Sequence, residues 1–141
     1  MKTFITEADK NNLPIRCFAG NFTQDSGYGV ANGIIASKDL PDAVFCANDQ
    51  MAIGFLKAMK ENKLTAPDDI AIVGFDDIHF AKLIQPALST VAVSRFTWGS
   101  VAATQLIDFL ENEKPFQSQR IPARLIKRES SMKTRILISE Y

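Results

Sequence analysis

Between Asp49 and Asn62 the apolar residues Ala52, Phe55, Leu56 and Met59 recur at i, i+3, i+4 and i+7, with Lys57, Lys60 and Glu61 on the other side. That spacing is one apolar face of a helix. Met51 and Ile53 flank the stripe, so this helix carries more apolar surface than a single core face needs. Ile53, together with Leu83 and Ile84, is therefore a candidate surface for a partner subunit.

The runs on either side follow a different period. Ala43 to Ala47 and Ile70 to Phe75 are short continuous apolar stretches of the kind found in strands buried on both faces, and each stops at a polar pair, Asn48-Asp49 or Asp76-Asp77. Leu13 to Ala19 is read as a further strand fed by a weak helix over 3–12. Leu88 to Val93 and Arg120 to Arg128 complete the set of strands.

Helices are expected over about 25–37, capped by Asp25 or Ser26, over 78–83 before Pro86, and over Thr97 to Leu110, where Trp98, Ala102, Leu106 and Phe109 share one side. Strands alternating with helices predict an α/β fold, a mostly parallel sheet flanked by helices. With 141 residues, 46% of them apolar, one domain over 1–141 is the expectation.

Charge narrows the function. Sixteen basic and sixteen acidic residues cancel and are scattered, which argues against a face for phosphate backbones. The N-terminus turns polar too early for an export signal, and no stretch reaches the roughly 18 apolar residues of a membrane span, which predicts a cytoplasmic protein. Cys17 and Cys46 lie in apolar runs without metal or redox spacing and are expected to be buried structural thiols.

Ligands of open α/β sheets bind beyond the carboxyl ends of the strands, and here those ends carry Asn21-Phe22, Asn48-Asp49 and Asp76-Asp77. A ring, an amide and a carboxylate together suit a polyhydroxylated or heterocyclic ligand. The competing reading makes Asp49 and Asp77 helix N-caps and Asn48 a turn residue.

Catalysis has no support. Asp76 and Asp77 are neighbours that point apart on an extended strand end, and His79, the only histidine, has no nucleophile motif to serve. The Gly27-Tyr28-Gly29-Val30-Ala31-Asn32-Gly33 segment has its third glycine one residue late for a dinucleotide fingerprint and lies within a helix. No catalytic residue, metal site or cofactor is expected.

The segments Pro-Asp-Ala-Val-Phe-Cys-Ala-Asn-Asp-Gln-Met-Ala-Ile-Gly (41–54) and Pro-Asp-Asp-Ile-Ala-Ile-Val-Gly-Phe-Asp-Asp (67–77) resemble the effector core of LacI/GalR-type transcriptional regulators. Pro-Ala-Leu-Ser-Thr-Val (86–91) and Pro-Ala-Arg-Leu-Ile-Lys-Arg-Glu-Ser-Ser (122–131) continue the resemblance, which spans about 13–131. It implies a type I periplasmic-binding-protein-like fold of two subdomains closing on a small effector, a sugar or a nucleobase. This chain would be a partial effector-binding domain: 13–90 and 119–131 form the C-terminal subdomain, and 91–118 crosses to the other one.

By the matching motifs, Phe22 would stack on the effector while Asn48 and Asp76 hydrogen-bond it, and Ile53 and Ile84 would join a homodimer interface. The helix-turn-helix through which such regulators reach DNA is absent ahead of residue 1. Family members also use an arginine before residue 13 to bind effector hydroxyls; Lys2 and Lys10 are the only basic residues there, so that contact is expected to be missing.

If the first subdomain is missing, the Trp98, Ala102, Leu106, Phe109 stripe loses its partner, and the chain is expected to self-associate. Three alternatives remain at this point. A transport-associated solute receptor of the same fold would need an export signal; an α/β enzyme on nucleosides or sugars would need a nucleophile, metal or phosphate loop; and a truncated fragment would have no independent activity.

Overall fold

The computed structural model describes residues 2–132, so the last stretch of the expected 1–141 domain lies outside the described residues. Helix α1 (Lys2–Lys10) is followed by α2 (Gln24–Ser37), β1 (Ala43–Phe45), α3 (Asp49–Glu61) and β2 (Ala71–Phe75). A 3-10 turn (His79–Lys82), β3 (Ser89–Val93), α4 (Arg95–Asn112), β4 (Ala123–Ile126) and a second 3-10 turn (Glu129–Ser131) complete it.

The four strands form one sheet in the order β1-β2-β3-β4. β1 and β3 flank β2 in parallel, with Val44 opposite Ile72 and Gly74 opposite Thr90, while β4 runs antiparallel to β3, Val91 opposite Leu125. The fold is thus the expected mostly parallel α/β sheet with flanking helices.

The core explains why α3 forms where it does. Its stripe of Ala52, Phe55, Ala58 and Met59 is buried against Ile70, Ile72 and Leu88 of the sheet side, and against Ala31 and Ile34 of α2. Burying Phe55 and Met59 contributes about 1.5–3 kcal/mol each, which outweighs helix propensity as the reason the segment stays helical.

Two glycines let α2 and α3 cross closely. A Cβ on Gly27 would run into the Met51 carbonyl, and one on Gly54 would run into the Gln24 carbonyl. Gly27 is therefore a packing residue, consistent with its rejection as part of a nucleotide fingerprint.

Burial in the strands differs from the expectation of two covered faces. Along β2, Ile72 and Gly74 are buried while Ala71, Val73 and Phe75 are only half-buried, and β1 has Ala43 and Phe45 exposed. α3 covers the face of Ile72 and Gly74. On the other face Phe45 meets the Phe4 ring of α1, centroids 5.3 Å apart.

Leu13–Ala19 is not a strand. It joins no ladder, because the sheet ends at β1, Pro14 has no N–H to give, and Arg16 is tied to the Asp39 carboxylate and carbonyl, each at 2.8 Å. Cys17 is consequently exposed, against expectation, while Cys46 is buried as expected. The strands expected over 43–47 and 120–128 are shorter, 43–45 and 123–126.

The caps also differ. Thr23, rather than Asp25 or Ser26, caps α2: its side chain accepts from the Ser26 N–H, and Ser26 Oγ accepts in turn from the Asn21 N–H. Ser94 caps α4, which starts two residues earlier than expected, at Arg95.

The C-terminal Arg128-Glu129-Ser130-Ser131 segment clasps the start of β3. Ser130 Oγ donates to the Ile72 carbonyl at 2.7 Å and accepts from the Ser89 N–H at 2.8 Å, and Glu129 accepts from the Ala87 N–H at 2.9 Å. Ser89 and the Arg128 backbone exchange two further bonds. Ser89 and Ser130 are fully buried with their donors and acceptors paired, which makes this clasp a structural closure of the sheet.

α4 stands apart from this core, and none of its residues is buried. The chain after it folds back so that Phe116 stacks on Phe109 (4.9 Å) and the Gln117 N–H donates to the Gln105 side chain. A groove of about 340 Å³ remains between Trp98, Ala102, Phe116 and Ile121, with Leu106 and Trp98 still half exposed.

Candidate functional site

The N-terminus of α3 is the hub of the site. Asn48, not Asp49, is its N-cap: the amide oxygen accepts from the Met51 N–H at 2.9 Å, while Nδ2 donates to the Phe22 carbonyl at 2.9 Å. One side chain therefore fastens the 20–23 loop to α3. One amide hydrogen of Asn48 is left for another acceptor.

Asp49 takes the opposite direction from the one its neighbour takes, into the core. It is fully buried, accepting from the Thr90 hydroxyl at 2.6 Å and from the Ile78 N–H at 2.8 Å. This couples α3, β3 and the turn after β2. Burial raises its carboxyl above the ordinary value of 3.8, opposed by the two hydrogen bonds and reinforced by the charges of Asp76 and Asp77.

Gly74 makes room for this carboxylate. A Cβ there would collide with Asp49 Oδ1, so the Gly-Phe-Asp-Asp sequence needs glycine at this position for packing. Directly after it the backbone departs from the extended strand: Asp76 has φ 112° and Asp77 φ 50°. The expectation that the two carboxylates diverge along an extended strand end is therefore replaced by a turn through left-handed conformations.

Asp77 does not cap the following turn either. Its carboxylate pairs with the Arg128 guanidinium at 2.7 Å, and Arg128 also donates to the Leu88 carbonyl at 2.8 Å. The Asp76 carboxylate has no hydrogen-bond partner among the described residues, while its backbone N–H donates to the Val91 carbonyl.

Phe22 is 64% exposed and also left-handed, φ 66°. A bulky residue held there costs free energy that the surrounding hydrogen bonds must offset, and such outliers cluster at ligand sites. Phe22 and Asn48 are thus joined directly. Asp76 bonds to neither, but it is near enough to Asp49 for its charge to act there.

The remaining sequence candidates separate. Ile53 is half-buried, Leu83 is exposed, and Ile84 packs against the core cluster. Lys10 is engaged with Glu7 at 2.7 Å. His79 is exposed, and burial pushes the Cys46 thiol up to about 12, with the Asp49 charge adding to the effect. Among the described residues no group of three His, Cys, Asp or Glu is placed to hold a metal ion, and no helix is long and apolar enough to cross a membrane.

Sequence reasoning missed the functions of Asp49, Thr90 and Arg128. The signal for Arg128 was present in the 122–131 segment; nothing local distinguishes Asp49 from an N-cap one residue along.

Residues 1–131 match the model of the periplasmic binding protein-like domain. The chain belongs to that family. Among its relatives, the HTH-type transcriptional repressor PurR of Pasteurella multocida is 39% identical over 110 residues, 78% of this chain and 33% of that protein.

Solved structures of the family agree. The Lac repressor dimer bound to operator and the anti-inducer ONPF superposes with a TM-score of 0.87 at 26% identity, over 93% of this chain and 46% of that one. A LacI family regulator from Enterococcus faecium with bound ribose gives 0.81 at 28% identity, over 91% and 48%.

This periplasmic binding protein-like chain therefore spans about a third of its curated relative and about half of the solved chains. It is similar to part of the effector-binding core of LacI/GalR-type regulators, and these relatives are repressors and regulators rather than enzymes.

Proposed function

We propose that the chain forms one wall of a small-molecule effector site, and the subunit-pairing surface, of a LacI/GalR-type transcriptional regulator acting in the cytoplasm. The observation that carries this reading is the convergence at the head of α3. Phe22, its ring exposed, is bonded there through its carbonyl to the Asn48 amide, which has a hydrogen to spare. The Asp76 carboxylate, without a hydrogen-bond partner among the described residues, lies near enough to Asp49 for its charge to act on it, and Phe22 and Asp76 are on positive-φ backbone. The ring offers an apolar face, and the polar pair suits adjacent hydroxyls of a sugar or the ring nitrogens of a nucleobase.

Binding rather than turnover is the chemistry of this set. Burial pushes the Cys46 thiol up to about 12, which disfavours the thiolate, and among the described residues His79 has no hydroxyl or thiol hydrogen-bonded to it. One wall of a cleft binds weakly, since most ligand burial comes from closure between two walls.

The test is thermal unfolding of the full chain against a panel containing ribose, lactose and free nucleobases. A ligand at ten times its Kd is expected to stabilise the fold by about 1.4 kcal/mol, with affinity in the millimolar range. No shift with any member at solubility-limited concentration would overturn the reading.

Pairing is assigned to Ile53, Leu83 and Ile84, and the uncovered side of α4 adds a second apolar surface. Light scattering of the chain is expected to give a dimer or larger species. A monomer at the highest soluble concentration, with Trp98 emission typical of a buried indole, removes both surfaces from consideration.

A further inference from the structure

Beside the ion pair of Asp77 and Arg128 lies a second pocket, of about 250 Å³, bordered by Asp77, Ile78, His79, Lys82, Arg95 and Arg128. None of Phe22, Asn48 and Asp76 borders it. We propose that this pocket is an anion site that takes a phosphate group, either as inorganic phosphate or as the phosphate of a monoester.

The argument begins with charge. Asp77 and Arg128 neutralise one another at 2.7 Å. Lys82 and Arg95 remain, and neither has an ion pair or hydrogen bond among the described residues. Two uncompensated positive charges face one pocket in a chain whose net charge is zero, so the excess is local. It matches the charge of a phosphate near neutral pH, and charge-assisted hydrogen bonds from Arg and Lys are the strong kind.

Donor geometry points the same way. Arg128 uses two of its five N–H groups, on Asp77 and the Leu88 carbonyl, and that anchoring fixes the guanidinium beside the pocket with donors left over. His79 adds a ring nitrogen. The Asp77 carboxylate, the one acidic group at the rim, is committed to Arg128 and does not leave its charge unpaired.

The groups come from three separated segments: the 3-10 turn at 79–82, the first residue of α4 and Arg128, the second residue after β4. A bound anion would bridge α4 to the sheet across the 93–95 junction. The pocket is also roomier than a bare phosphate requires, which leaves space for the moiety a monoester carries.

His79 is the only histidine, so its ring protons give a single resolved reporter in proton NMR. Inorganic phosphate, titrated into the full chain at fixed pH and at ionic strength held constant with chloride, is expected to shift this resonance saturably. The paired substitution Lys82→Gln with Arg95→Gln is expected to weaken binding roughly tenfold or more. Both positions are exposed, so the fold is not at risk.

Glycerol 3-phosphate distinguishes the source: tighter binding than inorganic phosphate identifies an ester ligand, and equal binding identifies the free ion. A shift that does not saturate, that chloride reproduces, or that the double variant leaves unchanged would overturn the proposal.

Discussion

Asp49→Ala is expected to destabilise the chain by about 2–4 kcal/mol, measured as a lower urea midpoint at unchanged slope. The loss has two parts. The Thr90 hydroxyl and the Ile78 N–H each lose a charged acceptor, and fully buried Thr90 keeps only the bond it accepts from the Asp77 N–H, so its own hydrogen is left unpaired. Asp49→Asn should cost less than about 1 kcal/mol, because the amide can accept from Ile78 and donate to Thr90 Oγ in the same space.

The pair of variants also separates shape from charge. Burial raises the Asp49 carboxyl above 3.8, so in the window between that value and the raised one the folded chain retains a proton that the unfolded chain has released. Stability from this group is therefore present at low pH and falls as pH rises through the window. Asp49→Asn has no such dependence, so its stability relative to the parent should rise from pH 4 upward and then level off. A relative stability that is flat or falls with pH would refute the burial account of Asp49.

The same residue shows where the sequence was readable. The stripe Ala52, Phe55, Met59 announced α3, because a 3.6-residue period survives whatever packs on it, and the apolar runs ending in polar pairs located β1 and β2. What a run cannot reveal is whether a partner strand exists. Leu13–Ala19 has strand composition, yet it is an exposed, unpaired segment held by Arg16 on Asp39.

At the site, residue types were legible and assignments within neighbouring pairs were not. Asn48 and Asp49 both suit an N-cap; their order relative to the core face decides, and Gly74 vacates the space into which Asp49 turns. Asp76 and Asp77 likewise divide only once Arg128, 51 residues downstream, claims Asp77. The left-handed backbone at Phe22 has no sequence signature, since a bulky aromatic does not favour it, and the aspartates at 76 and 77, a residue type enriched at positive φ, give only a weak one.

That backbone makes Asp76→Gly the most informative substitution at the proposed effector wall. At φ 112° an L side chain is strained by about 1–3 kcal/mol, and glycine is not. Glycine returns about 0.4–1 kcal/mol of that gain through the greater freedom of the unfolded chain. The carboxylate makes no hydrogen bond among the described residues, and its charge opposes ionisation of Asp49, so its removal sacrifices no contact of the fold. Asp76→Gly is thus expected to unfold at a higher temperature than the parent, by about 1 kcal/mol of stability, while binding the effector tenfold to a hundredfold more weakly, the worth of one charge-assisted hydrogen bond. Asp76→Asn keeps the strain and loses the charge, so it should lose affinity without gaining stability. If instead Asp76→Gly were both less stable and undiminished in binding, the strained carboxylate would be a structural element of the β2 turn, and the effector wall would have to be sought elsewhere on the sheet edge.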